Sequence, residues 1–454
     1  MDAEISDPHH ARPTRSGTLW YEGLLVLLIL AGLVSVLWNL YKWGYLPQPF
    51  IFDTNGTFAD WINVAYWAHH PGAFDVWRTV YPPLTYAFLK IFSLGSCYET
   101  DSFSYNVGCD WLSVVSIIGF YALNAVLVFL AYRKVDSRTA KLRTIALMLG
   151  FPMLYALERG NMIIPAFTFF VLGYSRVLKS AWMRWLAVAM TINFKPYLVF
   201  SAMPYAARRR WRWLEGCALA TTLVYLVTFA IVGSGSPLEI VQNQRDWLVF
   251  VGPQYYWNIY YSTSYAPFLE AIRSGPYPLL LWMPSHLLEV LTLVVPILIR
   301  IGQVGVIATM AVAWFRPTAA PVYRLSALAL SLVLTASNPG GYTEVFLVFL
   351  VFLEPWRGPA LITALVAAYL ISIPADHMLI GVKGYTQVSW LTQRDVATTF
   401  GLSVGQFVRP ALLLVIQYAL VIATLVEAIR APRRMAAGED LILDAPPIPA
   451  VVGL

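Results

Sequence analysis

Residues 184–212 read RWLAVAMTINFKPYLVFSAMPYAARRRWR. The part from 184 to 207 is apolar, carries basic residues at both flanks, and is broken near its middle by Asn193-Phe194-Lys195-Pro196. Short loops rich in Lys and Arg stay on the cytoplasmic side of a membrane, so both flanks belong on one side. A single crossing would separate them. A re-entrant hairpin keeps them together, with its bend at Lys195-Pro196, because proline disfavours helix at the residue before it. Each arm of about 11 residues rises about 16 Å, enough to reach mid-bilayer. Irregular backbone at that depth is tolerated only where it lines a protein cavity. Lys195 at the tip is therefore a site candidate; the competing reading is a lysine that snorkels to a headgroup.

Composition agrees with a membrane setting. The 454 residues are 58% hydrophobic and 12% charged, against about 45–50% and about 25% in soluble domains. Mean hydropathy is +0.62. A cytosolic enzyme, a nucleic-acid binder and a secreted disulfide scaffold are excluded. The 3 cysteines are also too few for a Cys-rich zinc site. Spans of about 20 apolar residues are expected at 19–41, 111–132, 143–157, 161–176, 213–233, 290–315, 322–337, 342–354, 358–374 and 409–430. One alternating arrangement then puts every basic cluster inside: Arg12/Arg15, Arg133 to Arg143, Arg176/Lys179/Arg184, Arg208 to Arg212, Arg316/Arg324, Arg357 and Arg430/Arg433/Arg434. The net charge of +6 is thus a matter of sidedness and not of an acidic partner. The expected organisation is a cytoplasmic tail at 1–16, a membrane domain at 17–432 and a second, Pro-rich cytoplasmic tail at 433–454. No small-residue cleavage site follows the first apolar run, so it reads as an anchor and not as a signal peptide.

Three long loops, 42–110, 234–289 and 375–408, fall on the non-cytoplasmic face, and loops of that length are usually functional. In the first, Trp61, Ala65 and Ala68 have helical spacing, which suggests an amphipathic helix over 58–68 lying on the membrane surface. Asp60 at its start is either a helix cap or a functional carboxylate. Asp53-Thr54-Asn55-Gly56 reads as an Asx-type turn. Cys97 and Cys109 share this loop and read as a disulfide in an oxidising compartment, with two free thiols as the alternative. Glu158-Arg159-Gly160-Asn161 puts a cation beside a glycine, which suits phosphate recognition; a helix end with a Glu–Arg ion pair is the plainer reading. Ser337-Asn338-Pro339-Gly340-Gly341-Tyr342-Thr343-Glu344 makes another polar turn. The stretch 247–265 is dense in aromatics, Trp257 and Tyr261 among them, and suits sugar or prenyl stacking or an interfacial belt. No zinc-type His pair, Ser-His-Asp order, Walker loop or Rossmann fingerprint appears.

Four motifs, taken in order, resemble a known group. They are Phe58-Ala59-Asp60 followed by Asn63, Ala65-Tyr66 and Ala68; Tyr81-Pro82-Pro83-Leu84; Arg159-Gly160-Asn161; and Phe194-Lys195-Pro196 trailed by the cluster Arg208 to Arg212. The chain is similar to the polyprenyl-phosphate-dependent glycosyltransferases of the C superfamily. It most resembles glycosyltransferase family 87, which includes mycobacterial mannosyl- and arabinofuranosyltransferases. The second half resembles that family in architecture and in the turn Ser337-Asn338-Pro339, after which Tyr342 and Glu344 stand where some members carry a histidine.

The resemblance implies an all-α polytopic membrane protein: a bundle of about ten spanning helices plus the re-entrant hairpin, with amphipathic helices in the outer loops. It implies inverting transfer of a sugar, mannose favoured, from a polyprenyl-phosphate donor to a glycolipid or glycan acceptor. Asp60 matches the family's catalytic aspartate. Lys195 and Arg159 would hold the donor phosphate, and Asn161, Tyr81, Trp257, Tyr261, Tyr342 and Glu344 would line the donor and acceptor sites. No cofactor, metal or nucleic acid is called for; the partners are the lipid donor, the acceptor and membrane lipids. The expected location is a bacterial cytoplasmic membrane, with the site on the periplasmic face and both termini inside. The rival readings are a flippase or transporter of lipid-linked sugars and a polymerase or ligase of lipid-linked glycans. Transporters show internal repeats with matching broken helices, and no second hairpin like 184–207 is visible.

Overall fold

The computed structural model describes residues 15–53, 56–233, 235–247, 262, 264–267, 269, 284–318, 320–336, 340–389 and 392–430. Trp257, Tyr261, the turn Ser337-Asn338-Pro339 and nearly all of both tails lie outside the described residues. Among the described residues, five helices are long and apolar enough to cross a membrane: Leu19–Trp43, Trp111–Arg133, Trp211–Val232, Ser285–Phe315 and Gly405–Arg430. They carry large apolar side chains that face outward, Leu27, Val34, Leu223, Leu226, Leu293 and Ile307 among them. Contiguous exposed apolar surface on this scale suits lipid and not water.

The remaining expected spans differ in form. The one at 143–157 is two helices, Ala140–Met148 and Phe151–Arg159, bent by 43°. The break has a local cause. Gly150 is extended, Pro152 starts the second helix without an N–H to offer, and Phe151 N–H donates instead to the Ser372 carbonyl at 2.9 Å. Counted as one, this pair makes six candidate spans. Expected spans at 161–176, 322–337, 342–354 and 358–374 are the shorter helices Ile163–Tyr174, Val322–Ala336, Glu344–Val351 and Pro359–Ile371, of 12, 15, 8 and 13 residues. At 1.5 Å per residue none alone covers the roughly 30 Å of hydrocarbon. They are buried nearly all round and form the core that the long helices enclose.

The hairpin expected at 184–207 is present. Helix Ala181–Phe194 stops at Lys195, a 3-10 segment Pro196–Ala202 turns back, and a short helix Met203–Ala207 ends at Arg208. Trp213 records the fold-back, because it touches both ends: the Arg184 guanidinium lies 4.9 Å from its ring and Tyr205 stacks on it at 4.9 Å.

The fold is mostly helical, as expected, and loop 375–408 adds one antiparallel pair of strands, Met378–Val388 and Asp395–Ser403, with Val382 opposite Phe400. Two expectations are corrected. The helix expected on the membrane surface forms as Ala59–His69, but Trp61, Ile62 and Ala65 are fully buried, so it belongs to the core. Arg143 and Arg324, counted as cytoplasmic loop charges, are buried in ion pairs. Arg143 bonds Glu22 at 2.7 Å, and Tyr369 donates to the same carboxylate at 2.8 Å. Arg324 bonds Glu354 and Glu427, each at 2.6 Å. This network staples the first, middle and last helices together.

Candidate active site

The site assembles where the start of helix Ala59–His69 meets the end of helix Phe151–Arg159. Phe58 enters its helix in a left-handed conformation, φ 60°, and its N–H donates to the Glu158 carbonyl at 2.8 Å. Gly160 ends the other helix at φ 57°. A Cβ there would sit 3.1 Å from Phe58 Cα and 3.2 Å from Trp61 Cβ, so glycine is what lets the two backbones meet. The motif spacing thus places Arg159 and Asn161 on either side of Asp60.

Asp60 does not cap its helix. Its Oδ1 accepts from Arg159 Nη2 at 2.5 Å and its Oδ2 from Asn161 Nδ2 at 2.5 Å. Asn161 is itself aimed by its Oδ1, which accepts from Ile163 N–H at 3.0 Å. The second arm of Arg159 donates to the Gly56 carbonyl at 2.6 Å. The Asp60 side chain keeps 21% of its exposure, enough for a ligand to reach. Burial pushes its carboxyl up, but Arg159, Asn161 and Lys195 together outweigh that and hold it below the usual carboxylate value. The plainer reading of the Glu158–Arg159 pair is overturned as well. Arg159 pairs with Asp60, while both Glu158 side-chain oxygens are buried with no hydrogen-bond partner among the described residues.

Lys195 reaches the same site from the hairpin tip. It is 9% exposed. Its Nζ lies 3.5 Å from the Tyr81 hydroxyl and 4.5 Å from the centre of that ring. Among the described residues it has no ion-pair partner. Burial, then the nearby Asp60 charge, raise the Tyr81 phenol well above its usual value, so Tyr81 is a neutral phenol whose oxygen accepts from Lys195.

Tyr342 closes the opposite side, its ring 5.4 Å from Tyr155, in the field of Asp60 and Arg159. Tyr197, which sequence reasoning missed, lies 3.5 Å from Thr343 through its hydroxyl; its place two residues after Lys195 was the available signal. Asp60, Arg159, Asn161, Lys195, Tyr81 and Tyr342 are therefore brought together. Glu344 is fully buried, its oxygens have no hydrogen-bond partner among the described residues, and Arg409 is a charge that acts on it. Asp53 turns elsewhere, accepting from the Tyr385 hydroxyl of the first strand at 3.1 Å. Cys97 and Cys109 are joined, with Cα atoms 5.6 Å apart. That segment supports the far end of the Asp60 helix, where His69 stacks on Tyr98. Among the described residues no three His, Cys, Asp or Glu side chains gather to hold a metal.

No known protein family, curated protein or solved structure matches the chain. The arrangement itself offers a carboxylate that can take a proton and two cations that can hold an anion.

Proposed function

We propose that this protein is a membrane glycosyltransferase of the C-superfamily type. It moves a sugar, mannose favoured, with inversion from a polyprenyl-phosphate donor to a glycolipid or glycan acceptor at the outer face of a bacterial cytoplasmic membrane. The observation that carries the reading is Lys195, a buried ammonium that makes no ion pair among the described residues and lies near a carboxylate already engaged by other donors. A buried charge without a counter-ion is costly. A lipid phosphate is the anion a membrane enzyme meets at that depth.

In the reaction the acceptor O–H bond breaks and its proton passes to Asp60. The acceptor oxygen bonds to the sugar's anomeric carbon from the face opposite the phosphate. The carbon–oxygen bond to phosphate breaks, and its electron pair leaves on the polyprenyl phosphate, whose charge Lys195 and Arg159 stabilise. Tyr81, Asn161 and Tyr342 line the path of the sugar, and the short interior helices join the long ones in a bundle of about ten membrane-crossing or membrane-dipping segments. The test is purified protein with a labelled polyprenyl-phosphate mannose and glycolipid acceptors. Labelled product together with free polyprenyl phosphate is expected. A lipid-linked sugar that changes leaflet without transfer would make the protein a flippase.

A further inference from the structure

We infer that Arg159 serves two anions in turn: the Asp60–Arg159 pair is a resting lock on the base, opened when the donor's phosphodiester draws Arg159 to itself, so the donor must bind first. The inference rests on the glycosyltransferase reading above.

The geometry supplies each part. At rest both Asp60 oxygens are occupied at 2.5 Å, by Arg159 and Asn161. A carboxylate so engaged is a poor proton acceptor, and the charged partner is the stronger of the two. Arg159 has a second, neutral anchor, its Nη1 on the Gly56 carbonyl. The guanidinium can therefore turn its other arm without losing its seat. Lys195 stands near enough for its charge to act on Asp60, and among the described residues it makes no ion pair of its own. Lys195 and Arg159 both act on Asp60, so on this proposal an anion entering beside that carboxylate competes with it for Arg159. The groups facing Asp60 are Arg159 and Glu158 from one helix, Asn161 after it, Lys195 from the hairpin, Tyr81 ahead of helix Pro83–Phe92, and Tyr342. Among the described residues, Arg159 is the cation that forms an ion pair with Asp60. Once released, Asp60 loses its main stabilising partner and its proton affinity rises toward what a general base needs.

The probe is a short-chain prenyl methyl phosphodiester, which carries one negative charge throughout, and the measurement is a double-mutant cycle. Asp60→Asn is expected to bind the probe about tenfold more tightly than wild type, because Arg159 is already free. In an Arg159→Gln background the same substitution is expected to leave affinity unchanged. An equal gain in both backgrounds would mean simple charge repulsion, and a loss in Asp60→Asn would mean that the aspartate merely orients the arginine; either overturns the lock. Wild-type protein tests it without substitution. Calorimetry in buffers of different ionisation enthalpy is expected to show proton uptake on binding in the acid range above the depressed Asp60 value, as Asp60 is released. Absence of uptake removes the lock. If wild type transfers sugar but shows no coupling, only the lock falls; if it neither binds the probe nor transfers sugar, the glycosyltransferase reading falls with it.

Discussion

Lys195 is held by little: a tyrosine hydroxyl at 3.5 Å and a ring at 4.5 Å. Removing an ammonium from water costs several kcal/mol, and a desolvated cation–π contact returns about 2 kcal/mol. The balance is restored by an incoming anion. Lys195→Ala should therefore weaken donor use by about ten- to a hundredfold while leaving the empty protein as heat-stable as wild type or more so. An unchanged donor KM would reduce the lysine to a structural part. Lys195→Arg should recover only some of the loss, because a planar fork does not replace a compact point charge. At Asp60, conversion to Asn should lower turnover by about 10²- to 10⁴-fold. If Asp53→Asn is the substitution that does so, the base is Asp53. Because the folded protein holds Asp60 below its unfolded value, the pairing stabilises the fold above about pH 4 and is lost as pH falls through the depressed value. Unfolding measured against pH should show a flatter acid limb in Asp60→Asn.

Between elements, the site depends on two turns that touch. Gly160→Ala would put a methyl 3.0 Å from Ile117 Cδ1 and 3.1 Å from Phe58 Cα, at a backbone angle alanine rarely takes. The direct strain is about 1 kcal/mol, but displacement of Arg159 relative to Asp60 should cost turnover about tenfold or more. Steady-state rates set beside melting temperature separate the two. The hairpin was legible because Pro196 and the flanking arginines mark it directly. The short interior helices were not, since apolar composition reports burial and does not say whether lipid or protein covers the surface. The strands left a signal that went unread: Ile380, Val382, Thr386 and Val388 alternate, as do Val396, Thr398 and Phe400. The ion pair between Asp60 and Arg159 could not be read at all. It joins residues 99 apart, and the local sequence offered Glu158 as the nearer partner.

Across the whole molecule, an ion pair sits at each end of the bent helix pair, fully buried at one end and partly open to a ligand at the other. Arg143 opens that pair and is locked to Glu22, whereas Arg159 closes it at the site. Breaking a buried pair on one side strands a charge, at about 3–5 kcal/mol, while removing both charges costs far less. Glu22→Leu should accordingly lower the unfolding temperature sharply, and Glu22→Leu with Arg143→Leu should regain most of the difference. Equal losses in the two proteins would show that the pair contributes little. The same asymmetry bears on how a long lipid could enter. A purse sewn shut at its base but only pinched at its mouth can be opened repeatedly without a stitch giving way. On the proposed function, a lipid donor enters and its spent carrier leaves at the Asp60–Arg159 mouth, while the Glu22 and Glu354 seams keep the base closed.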